Sequence, residues 1–116
     1  MEFRRQKPIY LQIADWLMEQ ILAGEPAPDQ RMPSVRDVAT QMGVNPNTVV
    51  RTFDQLQQEE IIFQRRGLGY FVSPDAPEKI LAEQRRQFLE EELPAIRQRM
   101  STLGISLEEI KDQLTA

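Results

Sequence analysis

Residues 42–56 read MGVNPNTVVRTFDQL. Asn45 and Pro46 form a helix-start pair. An N-cap asparagine can accept a hydrogen bond from an orphan N–H of the first turn, and proline suits the first helical position, where no N–H is needed. Val49, Phe53 and Leu56 follow at i, i+4 and i+7, the spacing of one buried helix face. Asn47, Arg51, Asp54 and Gln58 fall on the opposite side, flanked by Val50 and Gln55. Gly43 stands where a preceding helix ends with φ > 0. One helix closing at Gly43 and another opening at Asn45 make a tight helix-turn-helix.

Outward from this point the pattern continues in both directions. Upstream, Val35, Val38, Ala39 and Met42 form the apolar stripe of a short helix. Ser34 is its expected N-cap and Asp37 lies in its first turn, where a carboxylate suits the positive end of the dipole. Earlier still, Tyr10, Ile13, Ala14, Leu17 and Ile21 share one face of a helix within residues 8–24, with Pro8 in its first turn and Gly24, Pro26 and Pro28 ending it. GEPAPDQRMP, residues 24–33, is expected to be a loop. Downstream, IIFQ (61–64) and YFV (70–72) flank the glycine-bearing RRGLG (65–69), which reads as a β-hairpin. SPDAP (73–77) breaks the chain.

A helical segment begins at Asp75, which with Glu78 resembles a capping box. Leu81, Phe88, Leu89, Leu93, Ile96, Met100 and Leu103 keep a helical stripe. Pro94 lies inside it and is expected to kink or break the helix. Gly104 ends it, and SLEE (106–109) opens a last short helix carrying Leu107, Ile110 and Leu114. The predicted fold class is mainly α with a small β-hairpin: a winged helix-turn-helix domain over residues 1–74 and a C-terminal helical tail over residues 75–116.

Composition removes several classes of function. The chain of 116 residues has neither cysteine nor histidine. That excludes disulfides and the usual zinc and copper ligands, so no metal or cofactor is expected. The carboxylate runs Glu59-Glu60 and Glu90-Glu91-Glu92 have no nucleophile or histidine beside them, and no Walker or Rossmann fingerprint is present, so no catalytic residues are assigned and an enzyme is not expected. No apolar run approaches the roughly 18 residues of a membrane helix, and no apolar region follows the basic start MEFRRQKP, so a cytoplasmic protein without membrane association is expected. Net charge is −4, with 8 Lys/Arg against 9 Asp/Glu up to Pro74 and 6 against 9 from Asp75 onward. A nucleic-acid binder of this composition needs its positives gathered on one face.

In a winged helix-turn-helix the helix after the tight turn enters the major groove by its N-terminal end. Asn47 can make a bidentate contact to adenine, and Thr48 and the backbone N–H groups can hold phosphate. Asn45, Asn47, Thr48 and Arg51 are therefore the sharpest candidates for contact with double-stranded DNA. The plainer reading is that Asn45 only caps and its neighbours are polar filler. Arg36, beside the capping Ser34, can reach the DNA backbone, or pair with Asp37 or Glu60. Arg65 and Arg66 at the hairpin tip suit the minor groove, or serve solubility. Arg4, Arg5 and Lys7 are a weaker candidate arm, and Asp54 opposes a fully phosphate-friendly face. Tyr10, Trp16, Phe53, Phe63 and Phe71 are expected in the core.

PIYLQIADWLMEQILAG (8–24), MPSVRDVATQMGVNPNTVVRTFDQL (32–56) and GLGYFV (67–72) together resemble the GntR family of bacterial winged helix-turn-helix transcription regulators. The VNPNTVVR form and the short tail resemble its YtrA-type subfamily. The resemblance implies a homodimeric regulator, often a repressor, on a palindromic operator. It also implies DNA approach by Arg36 of the PS-x-R motif, by Asn45, Asn47 and Thr48, and by the wing glycine, here Gly67 or Gly69. Two departures stand out. Asn45-Pro46 replaces a Ser-Arg or Thr-Arg of many members, removing a phosphate-contacting arginine. Asp29-Gln30 occupies a turn where glycine is expected. Larger relatives carry a separate effector domain, but the 42 residues after Pro74 cannot enclose a metabolite pocket of about 300 Å³ or more unaided. A small-molecule effector would have to bind without a dedicated domain. Leu81, Phe88, Leu89, Leu93, Ile96, Met100 and Leu103 are therefore read as a dimer interface, the alternative being a cover over the first helix. The competing class is a winged-helix module that assembles proteins without binding DNA. It would show apolar residues where Arg36, Asn47, Arg51, Arg65 and Arg66 are predicted.

Overall fold

The structure is a computed structural model and describes residues 7–115. Its elements are α1 (Ile9–Leu22), α2 (Val35–Met42), α3 (Pro46–Gln58), β1 (Ile62–Arg65), β2 (Gly69–Val72), α4 (Ala76–Gln87), a π-helical turn (Phe88–Glu92), α5 (Leu93–Leu103) and α6 (Leu107–Leu114). Contacts divide the chain into one unit through Ile80 and another from Leu81.

In the first unit α3 is central, packing against both α1 and α2. Its Val49, Phe53 and Leu56 meet Ile13, Ala14, Leu17 and Ile21 of α1 and Val38 and Ala39 of α2 in one buried cluster. Ile62 and Val72 close it from the hairpin, and Ala76 and Ile80 from α4. The first turns of α4 thus belong to this core, which carries the unit past the chain break at residues 73–77. Asp75, expected to form a capping box with Glu78, instead faces Lys79 at 3.6 Å. Thr52 is fully buried on the packed side of α3. Its hydroxyl faces the Tyr10 carbonyl at 2.7 Å and the Thr48 carbonyl at 3.2 Å, tying α3 to the first turn of α1.

The hairpin pairs Ile62 with Val72, Phe63 with Phe71, Gln64 with Tyr70 and Arg65 with Gly69. Its turn closes where Leu68 N–H donates to the Arg65 carbonyl at 2.9 Å. Gly67, with φ +77°, takes the third turn position, which type II geometry reserves for a residue free of Cβ strain.

Residues 24–33, expected as a loop, carry no strand of their own but hydrogen-bond along the free edge of β2. Asp29 N–H donates to Val72 O (2.8 Å), Val72 N–H to Gln30 O (2.9 Å) and Met32 N–H to Tyr70 O (2.7 Å), with an antiparallel bridge between Arg31 and Phe71. Prolines at 28 and 33 bound the stretch too closely for any alternation to show in the sequence. Asp29 has φ +66°. It keeps the left-handed backbone for which the family resemblance led us to expect glycine; aspartate tolerates that region better than most residues.

In the second unit no described residue is buried. The disturbance expected at Pro94 takes the form of the π-helical turn just before it, while the dihedrals at Gln87, Glu92 and Leu93 stay helical. A wider turn accommodates the proline ring, which in an α-helix would clash with the carbonyl four residues back. Arg86 faces Glu83 at 2.7 Å and Glu90 and Glu91 at 3.2 Å, and holds the Glu83 carboxyl below the ordinary carboxylate range. Ser106 and Glu109 form the expected capping box of α6.

Candidate nucleic-acid interface

Both helices of the helix-turn-helix begin with a side-chain cap. Ser34 Oγ accepts from Asp37 N–H at 3.0 Å, and Asn45 Oδ1 from Asn47 N–H at 2.8 Å. Gly43, with φ +69°, makes the link between them. Asn45 therefore does cap, which leaves its amide NH₂ available. Asn47, Val50, Arg51, Asp54 and Gln58 are exposed on α3, and Thr48 is half-buried. The Arg51 guanidinium lies over the Tyr10 ring, 4.1 Å from its centroid, so α1 steadies it by a cation–π contact.

Arg36 is exposed in the first turn of α2. The carboxylate of Glu60, one of its expected alternative partners, is taken by Lys79 at 3.0 Å. Arg66 is exposed in the hairpin turn. Arg65 is not simply at the tip: its guanidinium lies 4.5 Å from the Phe71 centroid and 5.2 Å from that of Phe63. Those two rings stack at 6.0 Å with planes 27° apart. Phe63 and Phe71 are thus a platform on the outer face of the wing, not the core residues expected. Strand alternation is the reason, because it turns Ile62, Tyr70 and Val72 inward; Tyr70 meets Phe53 edge-on at 5.0 Å.

Arg31 was not singled out by the sequence. Its exposed side chain packs on Gly69, where an added Cβ would lie 3.3 Å from Nε and 3.4 Å from one terminal nitrogen. The structure thus gathers Arg31, Gly69, Phe71, Phe63 and Arg65 on one strip of the wing. Gly69 also has φ +103°, so glycine there answers a backbone need, and nothing in the sequence pointed to Arg31.

Among the described residues of the first unit, Lys7 pairs with Asp15, and Lys79 with Glu60 and Asp75. Arg31, Arg36, Arg51, Arg65 and Arg66 have no ion pair there. Lys7 is therefore already engaged, and Arg4 and Arg5 lie outside the described residues. Of the predicted tail residues, Leu81, Phe88, Leu89, Leu93, Ile96 and Leu103 are exposed and Met100 is half-buried. Leu81, Phe88 and Leu89 line an open groove with Gln84 and Arg85. No group of metal-ligating side chains occurs among the described residues, and no helix is long and apolar enough to cross a membrane.

A helix-turn-helix with a β-wing, bearing guanidiniums free of carboxylates, defines a DNA-binding winged-helix protein. The chain belongs to the gntR family of bacterial regulatory proteins, whose pattern matches residues 9–72. It is a transcription regulator and not an enzyme. It is similar to the HTH-type transcriptional regulator YhcF of Bacillus subtilis, at 38% identity over 94% of this chain and 88% of the relative. It is also similar to the HTH-type transcriptional repressor YtrA of Bacillus subtilis, at 34% identity over 94% and 83%. A solved GntR-family regulator from Bacteroides thetaiotaomicron superposes with a TM-score of 0.77 at 42% identity, over 90% of this chain and 91% of that one.

Proposed function

We propose that this chain is a cytoplasmic homodimeric repressor that binds double-stranded DNA at a palindromic operator. Residues 1–74 bind the DNA and residues 75–116 hold the dimer. The observation carrying the reading is that, among the described residues, all five arginines of the first unit (Arg31, Arg36, Arg51, Arg65 and Arg66) have no ion pair and lie on the helix-turn-helix, the hairpin and the segment bridged to it. A guanidinium with no acid to neutralise it is available to phosphate, and its planar fork fits two phosphate oxygens.

In this reading Ser34, Arg36, Asn45 and Thr48 hold the backbone at two helix N-termini, where the dipoles also favour an anion. Asn47 and Arg51 meet base edges, and Val50 offers an apolar contact for a thymine methyl. Arg65, Arg66, Gly67 and Gly69 present the wing to the minor groove. The tail supports dimerisation because its apolar stripe has nothing of its own to bury it. Similarity to YtrA, named as a repressor, supports that direction of control.

Selection of bound duplexes from a random pool tests the reading. Two inverted half-sites with centres about 34 Å apart are expected, and the intact chain should sediment as a dimer that Leu89→Asp dissociates. Absence of any enriched sequence, or a monomer at concentrations that bind the selected duplex, would overturn it.

A further inference from the structure

Two arginines from different elements converge on one strand of the wing. The bridge between Arg31 and Phe71 fixes Arg31 beside β2. Its guanidinium lies along Gly69, with Nε 3.3 Å and Cζ 3.7 Å from the site of a Cβ. Arg65 pairs in register with that same Gly69, and its guanidinium covers Phe71 at 4.5 Å. The Arg31 guanidinium therefore lies against residue 69 and that of Arg65 against residue 71, neighbours on the same strand face. Neither has an ion-pair partner among the described residues, whereas Lys7 and Lys79 in the same unit do.

Like charges brought together without an acid repel, and the arrangement becomes favourable once an anion joins them. A guanidinium stacked on a ring keeps its N–H donors pointing outward in its own plane, free for oxygen ligands. We propose that Arg31 is a further DNA-contacting residue that forms, with Arg65, a two-guanidinium clamp on one backbone phosphate at the base of the wing. This rests on the DNA-binding reading above. Gly69 belongs to the arrangement in two ways: its φ of +103° excludes side chains by backbone strain, and a Cβ there would displace the Arg31 guanidinium by a few tenths of an ångström.

The test is binding of the intact chain to the duplex recovered by selection and to a scrambled duplex, followed by fluorescence anisotropy from about 50 to about 200 mM salt. Arg31→Gln should weaken both duplexes by the same factor and reduce the slope of log K against log salt by a part of the roughly 0.9 per protomer that one neutralised phosphate contributes. Arg31→Lys should restore most of the slope, and Gly69→Ala should lose part of it. Methylphosphonate replacement of single phosphates should reveal one position that weakens the natural chain most, and weakens Arg31→Gln and Arg65→Gln distinctly less. Thermal melting of each variant separates a lost contact from a damaged wing.

An unchanged slope for Arg31→Gln, beside a reduced one for Arg36→Gln, would overturn the clamp and leave the DNA reading standing. A loss confined to the selected sequence would assign Arg31 to a base and overturn the phosphate role. Failure of the natural chain to bind either duplex would overturn both readings.

Discussion

Replacing Thr52 by valine exchanges one hydroxyl for a methyl on the packed side of α3 and changes almost no volume. The hydroxyl sits 2.7 Å from the Tyr10 carbonyl and 3.2 Å from the Thr48 carbonyl. Both acceptors lie in helices and keep their own N–H partners four residues on, so neither is orphaned. The variant therefore loses the net value of one hydrogen bond, about 0.5–1.5 kcal/mol. A second effect comes from distance. Carbon and oxygen prefer about 3.3 Å or more, so the new methyl must open the spacing of α1 and α3 by roughly half an ångström. Loosening a fully packed contact takes the total to about 1–2 kcal/mol, a fall in Tm of roughly 5–10 °C for a domain of this size. Urea and thermal unfolding followed by circular dichroism, at fixed protein concentration, measure this directly. Thr52→Ser keeps the hydroxyl and should lose less than valine does. If valine left stability unchanged or raised it, the hydroxyl would not be what joins α3 to α1.

Three further perturbations probe other parts of the fold. Glu60 holds φ +62° and pairs with Lys79 at 3.0 Å. Glu60→Gln, which keeps the backbone strain and removes the charge, should therefore lower stability only slightly, and Glu60→Gly should be more stable than Glu60→Gln by about 0.5 kcal/mol through relief of left-handed strain, both read by Tm. Gly43→Ala meets open space but keeps φ +69°, and should lower stability by about 1 kcal/mol from backbone strain alone; chemical denaturation reads it. Arg36→Gln should weaken all duplexes alike, whereas Asn47→Ala should lower discrimination by about 1–3 kcal/mol at one base pair, a difference that competition against single-base operator variants resolves.

Helix starts and stops were legible because each rests on local chemistry. Ser34, Asn45 and Ser106 cap where a short polar side chain precedes an apolar period, and Gly43 and Gly104 take positive φ where helices end. What escaped the sequence depends on partners far along the chain. The bridge at Arg31 exists because the free edge of β2 accepts it. Thr52 reads as an unremarkable polar residue until Tyr10 is placed opposite it. The outward position of Phe63 and Phe71 was in principle readable, since a two-residue period separates them from Ile62 and Val72, but aromatic character suggested the core more strongly. The position of Arg31 against Gly69 shows only in the folded chain. Pro94 announced a disturbance without specifying that a wide turn would absorb it.

The way this chain holds its cations bears on how an acidic protein can bind DNA. In the tail, Arg86 is surrounded by Glu83, Glu90 and Glu91, and Lys111 faces Glu108 at 3.9 Å. Those charges are committed to carboxylates. Arg51 and Arg65 are held differently, by the faces of Tyr10 and Phe71. A stack fixes the direction of a guanidinium without cancelling its charge, and only arginine has the planar group that allows it while keeping the donors exposed. Carboxylate partners would have given equal order and left nothing for phosphate. The balance of −4 over the chain is thus compatible with a local positive surface, because aromatic rings rather than acids position Arg51 and Arg65.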